Sequence, residues 1–155
     1  MKILPLADRL DLVATIGKWH WDEWGHGDPD GSLESWTAAM AEKAERGRIP
    51  TTFIAVSEDG KLLGSVTIVD CDMDTRPDLW PWLAGLFVTP EARQQGIGSA
   101  LVNHAMAFIK SLSITDLYLY TSTAESLYRR LGWQVIDRDV YEGGEVTVMH
   151  IALIA

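Results

Sequence analysis

The spacing of apolar residues predicts two helices at the start of the chain. Over residues 8–24 apolar side chains recur at intervals of three and four, which places them on one face of a helix. Residues 25–31 are rich in glycine, aspartate and proline and predict a loop. Ser32 is a favourable N-cap for a second helix. The expected buried stripe of that helix consists of Leu33, Trp36, Met40 and Ala44.

Strands dominate the middle of the chain. Residues 52–56 and 62–69 are apolar and β-branched and flank Glu58-Asp59-Gly60, which predicts a hairpin. A third strand is expected over residues 83–88. Residues 98–111 then return to helical spacing. The apolar face of this helix is expected to hold Leu101, Ala105, Phe108 and Leu112.

The last third of the chain predicts a strand, a short helix and a hairpin. Residues 116–121 predict a half-buried strand, with Leu117 and Leu119 on one face and Tyr118 and Tyr120 on the other. Residues 124–131 predict a helix that ends at Gly132. Two more strands are expected over 133–141 and 146–154, joined by a glycine-rich turn. This order predicts a mixed α/β fold, and 155 residues suit a single domain over 1–155.

A glycine-rich loop joins the third strand to the long helix and is the most informative segment of the chain. The apolar run that contains this strand ends at Pro90, and Gly96 and Gly98 follow just before the helix. Such a junction presents backbone N–H groups to an anion, and glycine lets a phosphate approach the main chain. A Walker A lysine is absent, since Ser99 follows Gly98, and the third glycine of a dinucleotide fingerprint is replaced by Leu101. The implied ligand is another phosphorylated cofactor.

Two motifs, in this order, resemble those of the GNAT N-acetyltransferase superfamily. Arg93-Gln94-Gln95-Gly96-Ile97-Gly98 is similar to the family's Arg/Gln-x-x-Gly-x-Gly/Ala signature. The segment from Ala124 to Trp133, AESLYRRLGW, is similar to its A-x-x-L-Y-x-x-L-G-F helix and turn, with Trp133 in place of phenylalanine. The resemblance spans about residues 50 to 153, and earlier residues match in outline.

The resemblance implies a mostly antiparallel central sheet flanked by helices, with a V-shaped splay between the strands at 83–88 and 116–121. Acetyl-CoA is expected to enter this wedge, with its pantetheine arm paired to the main chain of Leu86, Phe87 and Val88. The loop is expected to hold the pyrophosphate. The implied loop residues are Arg93, Gln94, Gln95, Gly96, Ile97, Gly98 and Ser99.

The same resemblance implies direct acetyl transfer to an amine, with no metal and no covalent enzyme intermediate. Tyr128 occupies the position of the family's general acid, and a phenol with a reference pKa of about 10 stays protonated at neutral pH. The Val88 N–H is the implied polariser of the thioester carbonyl. Thr121 stands where the family often has asparagine and is expected to contact the pantetheine or the amine. Ser122 and Thr123 are its alternatives.

The sequence does not identify the general base, because residues 82–86 carry no acidic side chain. The candidates are a water relay or the side chains of Asp70, Asp72, Asp74, Asp78, His20 and Glu23. The early tryptophans and two nearby acids are expected to wall an acceptor pocket and to hold an ammonium group by cation–π and charge contacts. These residues are Trp19, Trp21, Trp24, Trp36, Asp22 and Glu23.

Composition narrows the partners. A net charge of −9 argues against nucleic acid, whose binding depends on Lys and Arg, and is compatible with a cationic amine. No apolar run approaches the ~20 residues of a membrane span, and the first residues do not resemble a secretion signal, so a cytoplasmic protein is expected. Cys71 is alone and has no disulfide partner in the chain. Homodimers are frequent in the resembled family, although no residue here requires one.

Two functions follow from these motifs. The first is an acetyl-CoA-dependent N-acetyltransferase acting on the primary amine of a small molecule, a protein N-terminus or a lysine. The alternative is a GNAT-fold module that binds acyl-CoA without efficient transfer and serves as a sensor or interaction domain. Tyr128 and the phosphate loop favour the enzyme, whereas Thr121 and the strand without a carboxylate favour the sensor.

Overall fold

A seven-stranded sheet forms the centre of the computed structural model, which describes residues 1–154. In chain order the strands are β1 (Lys2–Pro5), β2 (Thr51–Val56), β3 (Leu62–Val69), β4 (Trp82–Val88), β5 (Asp116–Thr121), β6 (Gln134–Tyr141) and β7 (Gly144–Ala152). The α-helices are α1 (Val13–Trp24), α2 (Leu33–Glu42), α3 (Ile97–Ser111) and α4 (Glu125–Arg130). Across the sheet the order is β1-β2-β3-β4-β5-β7-β6. The predicted mixed α/β fold is confirmed.

The sheet is antiparallel except between β4 and β5, which run parallel and separate almost at once. Within residues 1–154, Trp82 and Tyr118 form the one registered pair between these two strands. The Tyr118 N–H also donates to the Pro81 carbonyl at 3.0 Å. Beyond this point β4 stays paired with β3, and β5 stays paired with β7. The splay expected between 83–88 and 116–121 is therefore present.

Helices cover both faces of the sheet. Successive strand residues point to opposite faces, and on β2 Phe53 belongs to one core while Ile54 belongs to the other. Phe53 shares the main core with Leu101 of α3, and Ile54 packs with Ile16 of α1 and Met40 of α2. No helix formed by residues 1–154 is long and apolar enough to cross a membrane.

The start of the chain differs from its prediction. Residues Lys2–Pro5 form an edge strand that pairs with β2, which a run of four residues is too short to reveal by alternation. Helix α1 begins at Val13 instead of residue 8, because residues 6–12 form two short 3-10 turns. Leu6 in the first turn is completely buried against the α1–α2 face. The last strand is shifted toward the turn and begins at Gly144.

Strand β4 carries a bulge halfway along its length. Ser65 of β3 is opposite Phe87, whereas Thr67 is opposite Ala84, so β4 has one more residue than its partner in this interval. Gly85 lies in the interval with φ of +61°, a backbone conformation that glycine adopts readily. The bulge redirects β4 just where it leaves β5.

Candidate active site

A wedge opens between β4 and β5 beyond their single pair. Leu86, Phe87 and Val88 are half-buried and lie on the diverging part of β4. Since this part of β4 pairs only with β3, its main-chain groups on the β5 side have no strand partner among the described residues. An unpaired strand edge of this kind accepts an extended ligand through main-chain hydrogen bonds.

The glycine-rich loop lies at the open end of the wedge. Gly96 precedes α3 with φ of +79°, and a Cβ added there would meet no atom within 4 Å. Gln94 is exposed and also has a positive φ of 62°. The Ala100 N–H donates to the Gly96 carbonyl at 3.0 Å and closes the first turn of the helix. As at any helix start, the preceding N–H groups lack helical partners. They belong to Ile97, Gly98 and Ser99.

Two loop side chains stabilise the loop against its own backbone. Arg93 Nε donates to the Val88 carbonyl at 2.9 Å, and the guanidinium lies 5.6 Å from the centre of the Phe87 ring. Gln95 Nε2 donates to the Glu91 carbonyl at 3.3 Å. Arg93 therefore fastens the loop to the end of β4. The strand and loop residues that the motif singled out lie together at one end of the wedge.

Tyr128 lies on α4, the helix that directly follows β5. Its side chain is 6% exposed and packs edge-on against Trp133, with 5.9 Å between the ring centres. Burial raises the pKa of Tyr128 to about 12 and is the sole cause of the shift. The phenol therefore stays protonated at neutral pH and can donate to a negatively charged group placed next to it.

Thr121 ends β5 and shapes the turn into α4. Its Oγ1 accepts hydrogen bonds from the N–H groups of Thr123 at 3.3 Å and Ala124 at 3.0 Å. The oxygen thus satisfies two backbone donors at the start of a helix, which is the role of a capping residue. The hydroxyl proton is left over for a second partner.

We expect Thr121→Val to lower the free energy of unfolding by about 1 kcal/mol, because two N–H groups lose their acceptor. In a chain of this size that loss corresponds to a fall in Tm of roughly 2–4 °C. Thr121→Ser keeps the oxygen and is the matched control. Equal melting temperatures for the valine and serine variants would contradict the capping role.

Aromatic side chains gather on the α1–α2 face at the base of the wedge. Tyr120 lies 6.4 Å from Trp82 of β4 and 5.4 Å from Tyr141 of β6, measured between ring centres. Tyr120 is two residues beyond Tyr118, where the β4–β5 pair ends. No sequence motif points to Tyr120 or Tyr141, although alternation along the strands places them on this face.

Asp72, in the loop after β3, differs from the other candidate carboxylates. Burial raises its pKa from 3.8 to about 6, with a smaller contribution from Glu142, while the charge of Lys43 lowers it. The charge of Asp72 in turn adds to the burial that raises the pKa of Tyr120. Asp72 therefore lies close to Tyr120, on the α1–α2 face of the wedge.

The other three aspartates of this loop have different surroundings. Asp70 accepts from Trp80 Nε1 at 2.8 Å, and Asp78 forms an ion pair with Arg76 at 3.4 Å. Asp74 is exposed. The structure thus separates Asp72 from a cluster that the sequence left undivided.

Helix α1 brings two tryptophans and a histidine over β4. The Phe87 ring centre lies 5.0 Å from that of Trp19 and 6.5 Å from that of Trp24. His20 is 7% exposed and contacts Trp24 edge-on, with 5.0 Å between ring centres. Burial, and to a lesser extent the charge of Lys43, lowers the pKa of His20 to about 4. Its imidazole is neutral at physiological pH.

Trp21 and Trp36 do not contact Phe87 but pack against each other. Their ring centres are 6.2 Å apart, and Trp36 Nε1 donates to Asp28 at 3.0 Å. These two tryptophans join α1 to α2 and the loop before it, whereas Trp19 and Trp24 approach Phe87. Gly85 was not selected from the sequence either, although a glycine inside a strand pattern is itself a signal of a bulge.

Comparison with known proteins agrees with this geometry. The sequence model of the Acetyltransferase (GNAT) family matches residues 13–133. The chain belongs to the GNAT family. Over 132 residues it is 35% identical to the peptidyl-lysine N-acetyltransferase YiaC of Escherichia coli strain K12, covering 84% of this chain and 82% of that protein.

Two further proteins extend the comparison. The S-alkylcysteine N-acetyltransferase of Bacillus subtilis strain 168 is 29% identical over 109 residues, which cover 65% of this chain and 61% of that protein. An aminoglycoside 6′-N-acetyltransferase crystallised with coenzyme A shares the fold, with a TM-score of 0.76, 17% identity and coverage of 100% and 98%. The predicted GNAT family and enzyme class, an acetyl-CoA-dependent acyltransferase, are confirmed.

Proposed function

We propose that this GNAT protein transfers the acetyl group of acetyl-CoA directly to a primary amine of a small molecule, a protein N-terminus or a lysine. The wedge carries the proposal, because an unpaired strand edge leads from a glycine-rich helix start toward a buried, protonated phenol. The names of similar proteins include peptidyl-lysine, S-alkylcysteine and aminoglycoside as acceptors. All three carry amines, which supports an amine acceptor without selecting one.

The strand edge and the loop are assigned to the cosubstrate, which supplies an activated acetyl group when bound. We assign the pyrophosphate to the free N–H groups at the start of α3, where the helix dipole also favours an anion. The pantetheine arm is assigned to the main chain of Leu86, Phe87 and Val88 and to the Thr121 hydroxyl. Arg93 and Gln95 hold the loop in shape through their bonds to backbone carbonyls. Gln94 is assigned, with Gly96, Ile97, Gly98 and Ser99, to the cosubstrate side of the loop.

Three groups are assigned to the chemistry. The Val88 N–H donates to the thioester carbonyl and stabilises the negative charge that develops on its oxygen. Tyr128 gives its proton to the departing thiolate. Asp72 accepts the proton that the amine loses as its nitrogen attacks. A carboxylate with a pKa of about 6 is ionised at neutral pH and is a stronger base than an ordinary aspartate.

Release of CoA tests the proposed function directly. Purified protein is incubated with acetyl-CoA and a thiol reagent, together with a lysine peptide, an S-alkylcysteine, an aminoglycoside or buffer alone. Amine-dependent release of CoA is the expected result, and calorimetry with CoA measures cofactor binding separately. Binding of CoA without release in the presence of any amine would favour the acyl-CoA sensor. Absence of CoA binding would refute both functions.

The loop assignment predicts that Gly98→Val weakens CoA binding by about tenfold or more, since about 1.4 kcal/mol of lost binding suffices. A Cβ on Gly98 would already lie 3.7 Å from Val88 and 3.8 Å from Leu86, so a branched side chain would fill the space beside the end of β4. Ala107→Val, at an exposed position of the same helix, is the matched control for helix propensity. Unchanged CoA affinity in the Gly98 variant, measured by calorimetry, would contradict the assignment.

A further inference from the structure

The imidazole of His20 lies directly on the β4 bulge. Its Cε1 and Nε2 atoms are 3.0 and 3.5 Å from the position that a Cβ would take on Gly85. A side chain at position 85 would crowd the ring and would also be strained by the positive φ, so glycine suits this close approach of helix and strand. The close approach therefore brings a polar side chain of α1 to the bulge of a strand that has none of its own.

His20 is more than nine-tenths buried, and its Nε2 has no hydrogen-bond partner among the described residues. Buried polar side chains are normally paired, and each exception calls for an explanation. On its outer side the ring contacts Trp24, which is 43% exposed. His20 thus contacts both the bulge of β4 and a side chain at the protein surface.

A second polar atom beneath α1 is also buried without a hydrogen-bond partner in the described part of the chain. Ser65 is fully buried and its Oγ has no partner within residues 1–154. Ser65 is opposite Ile54 on one side and Phe87 on the other, and both of these side chains pack against α1. Among the described residues, two buried polar atoms without partners therefore lie on one face, next to the bulge, in an otherwise apolar contact.

His20 lies on the same side of β4 as Asp72, the proposed general base. His20 and Asp72 both lie next to β4, since His20 contacts Gly85 and Met73, the neighbour of Asp72, packs with Trp82. Lys43, at the end of α2, lowers the pKa of both groups. Asp72 approaches from the loop after β3 and His20 from α1. A primary amine that directs its lone pair at a carbonyl carbon has two N–H bonds left, and these need two acceptors.

We propose that His20 orients the acceptor amine, its neutral imidazole accepting a hydrogen bond from one N–H while Asp72 takes the proton of the other. The inference rests on the proposed function and adds a specificity-determining residue on α1. No bond to His20 forms or breaks, and its protonation state is the same before and after transfer. Acceptors without two N–H bonds on the attacking nitrogen, namely secondary amines and hydroxyls, are then poor substrates.

Two substitutions of opposite character separate this role from simple packing. His20→Phe keeps an aromatic ring and removes the acceptor, whereas His20→Gln keeps an acceptor and packs less well. With the best amine of the panel, we expect kcat/KM to fall 10–100-fold in the Phe variant and to recover largely in the Gln variant. The KM for acetyl-CoA and the break in the pH profile at about pH 6 stay in place in both.

A Phe variant that is as active as the original protein, or more active than the Gln variant, would overturn the proposal. Carbon-13-labelled histidine provides an independent readout, in which the Cε1 signal missing from the Phe variant identifies His20. We expect that signal to shift when the amine is added to the CoA-bound protein, and an unmoved signal also counts against the role. Failure of the proposed function is distinct, since the unsubstituted protein would then release no CoA with any amine.

Discussion

Tyr128→Phe is expected to lower kcat by about 10²-fold or more while leaving the affinity for CoA unchanged, the usual range for losing a general acid. The phenol is buried, and burial alone shifts its pKa, so the substitution removes a proton donor without removing a protein hydrogen bond. Stability should therefore change little. Stopped-time assays of CoA release, with calorimetry and a melting curve, measure the three quantities separately.

Tyr118→Phe is the matched control. Tyr118 is half-buried on the face of β5 that points away from the core containing Tyr128. We expect its kcat to stay within about twofold of that of the unsubstituted protein, as for a substitution that removes no reacting group. The pH profile of Tyr128→Phe should keep its shape below pH 10, since a phenol with a pKa of about 12 does not titrate there. A kcat that survives the loss of the phenol would exclude Tyr128 as the acid.

Asp72→Asn should have the second large effect. We expect it to lower activity and to raise the free energy of unfolding at pH 8. Loss of a general base lowers kcat/KM by about 10²-fold or more at pH 7. An alkyl amine must also lose its proton, so log kcat/KM of the unsubstituted protein rises with a slope of about 2 below pH 6 and about 1 above it. In the Asn variant the slope of about 1 should extend through the whole range. Asp70→Asn is the control, with an unchanged profile.

The raised pKa of Asp72 also makes the free energy of unfolding depend on pH. The folded protein binds the Asp72 proton more tightly than the unfolded chain does, so the free energy of unfolding falls as pH rises from about 4 to about 6. Above that window the buried charge costs about 3 kcal/mol, which Asp72→Asn removes. We expect the variant to be more stable at pH 8 and equal to the unsubstituted protein below pH 4. A variant that is less stable at pH 8 would show that Asp72 is not buried as a charge.

Sequence patterns predicted best those features that depend on near neighbours. The capping box formed by Ser32 and Ser35 starts α2 where expected, and Gly96 precedes α3. The motif around Tyr128 also identified the buried phenol. All of these arise within one or two turns of chain. The sequence did not predict strand β1, because its four residues form a strand only by pairing with β2, which is far away in sequence.

The proposed base and the proposed acceptor residue could not be selected without the fold. Four aspartates within nine residues are equivalent by pattern, and Asp72 differs only because Tyr120, Glu142 and Lys43 reach it from distant segments. The same holds for His20, since helical spacing predicts that it faces inward but not that it meets Gly85. Burial and the charge of neighbours decide a pKa, and both depend on tertiary contacts.

Within residues 1–154, Trp82 and Tyr118 form the single registered pair between β4 and β5. One part of the sheet ends in β4 and carries the loop before α3, and the other begins with β5 and leads into α4. A shared apolar core, which includes Leu83 of β4 and Leu117 of β5, holds the two parts together. The distance between the loop and Tyr128 therefore depends on side-chain packing across the wedge more than on main-chain hydrogen bonds. Conservative substitutions in this core should then change the fit of the cosubstrate without touching it.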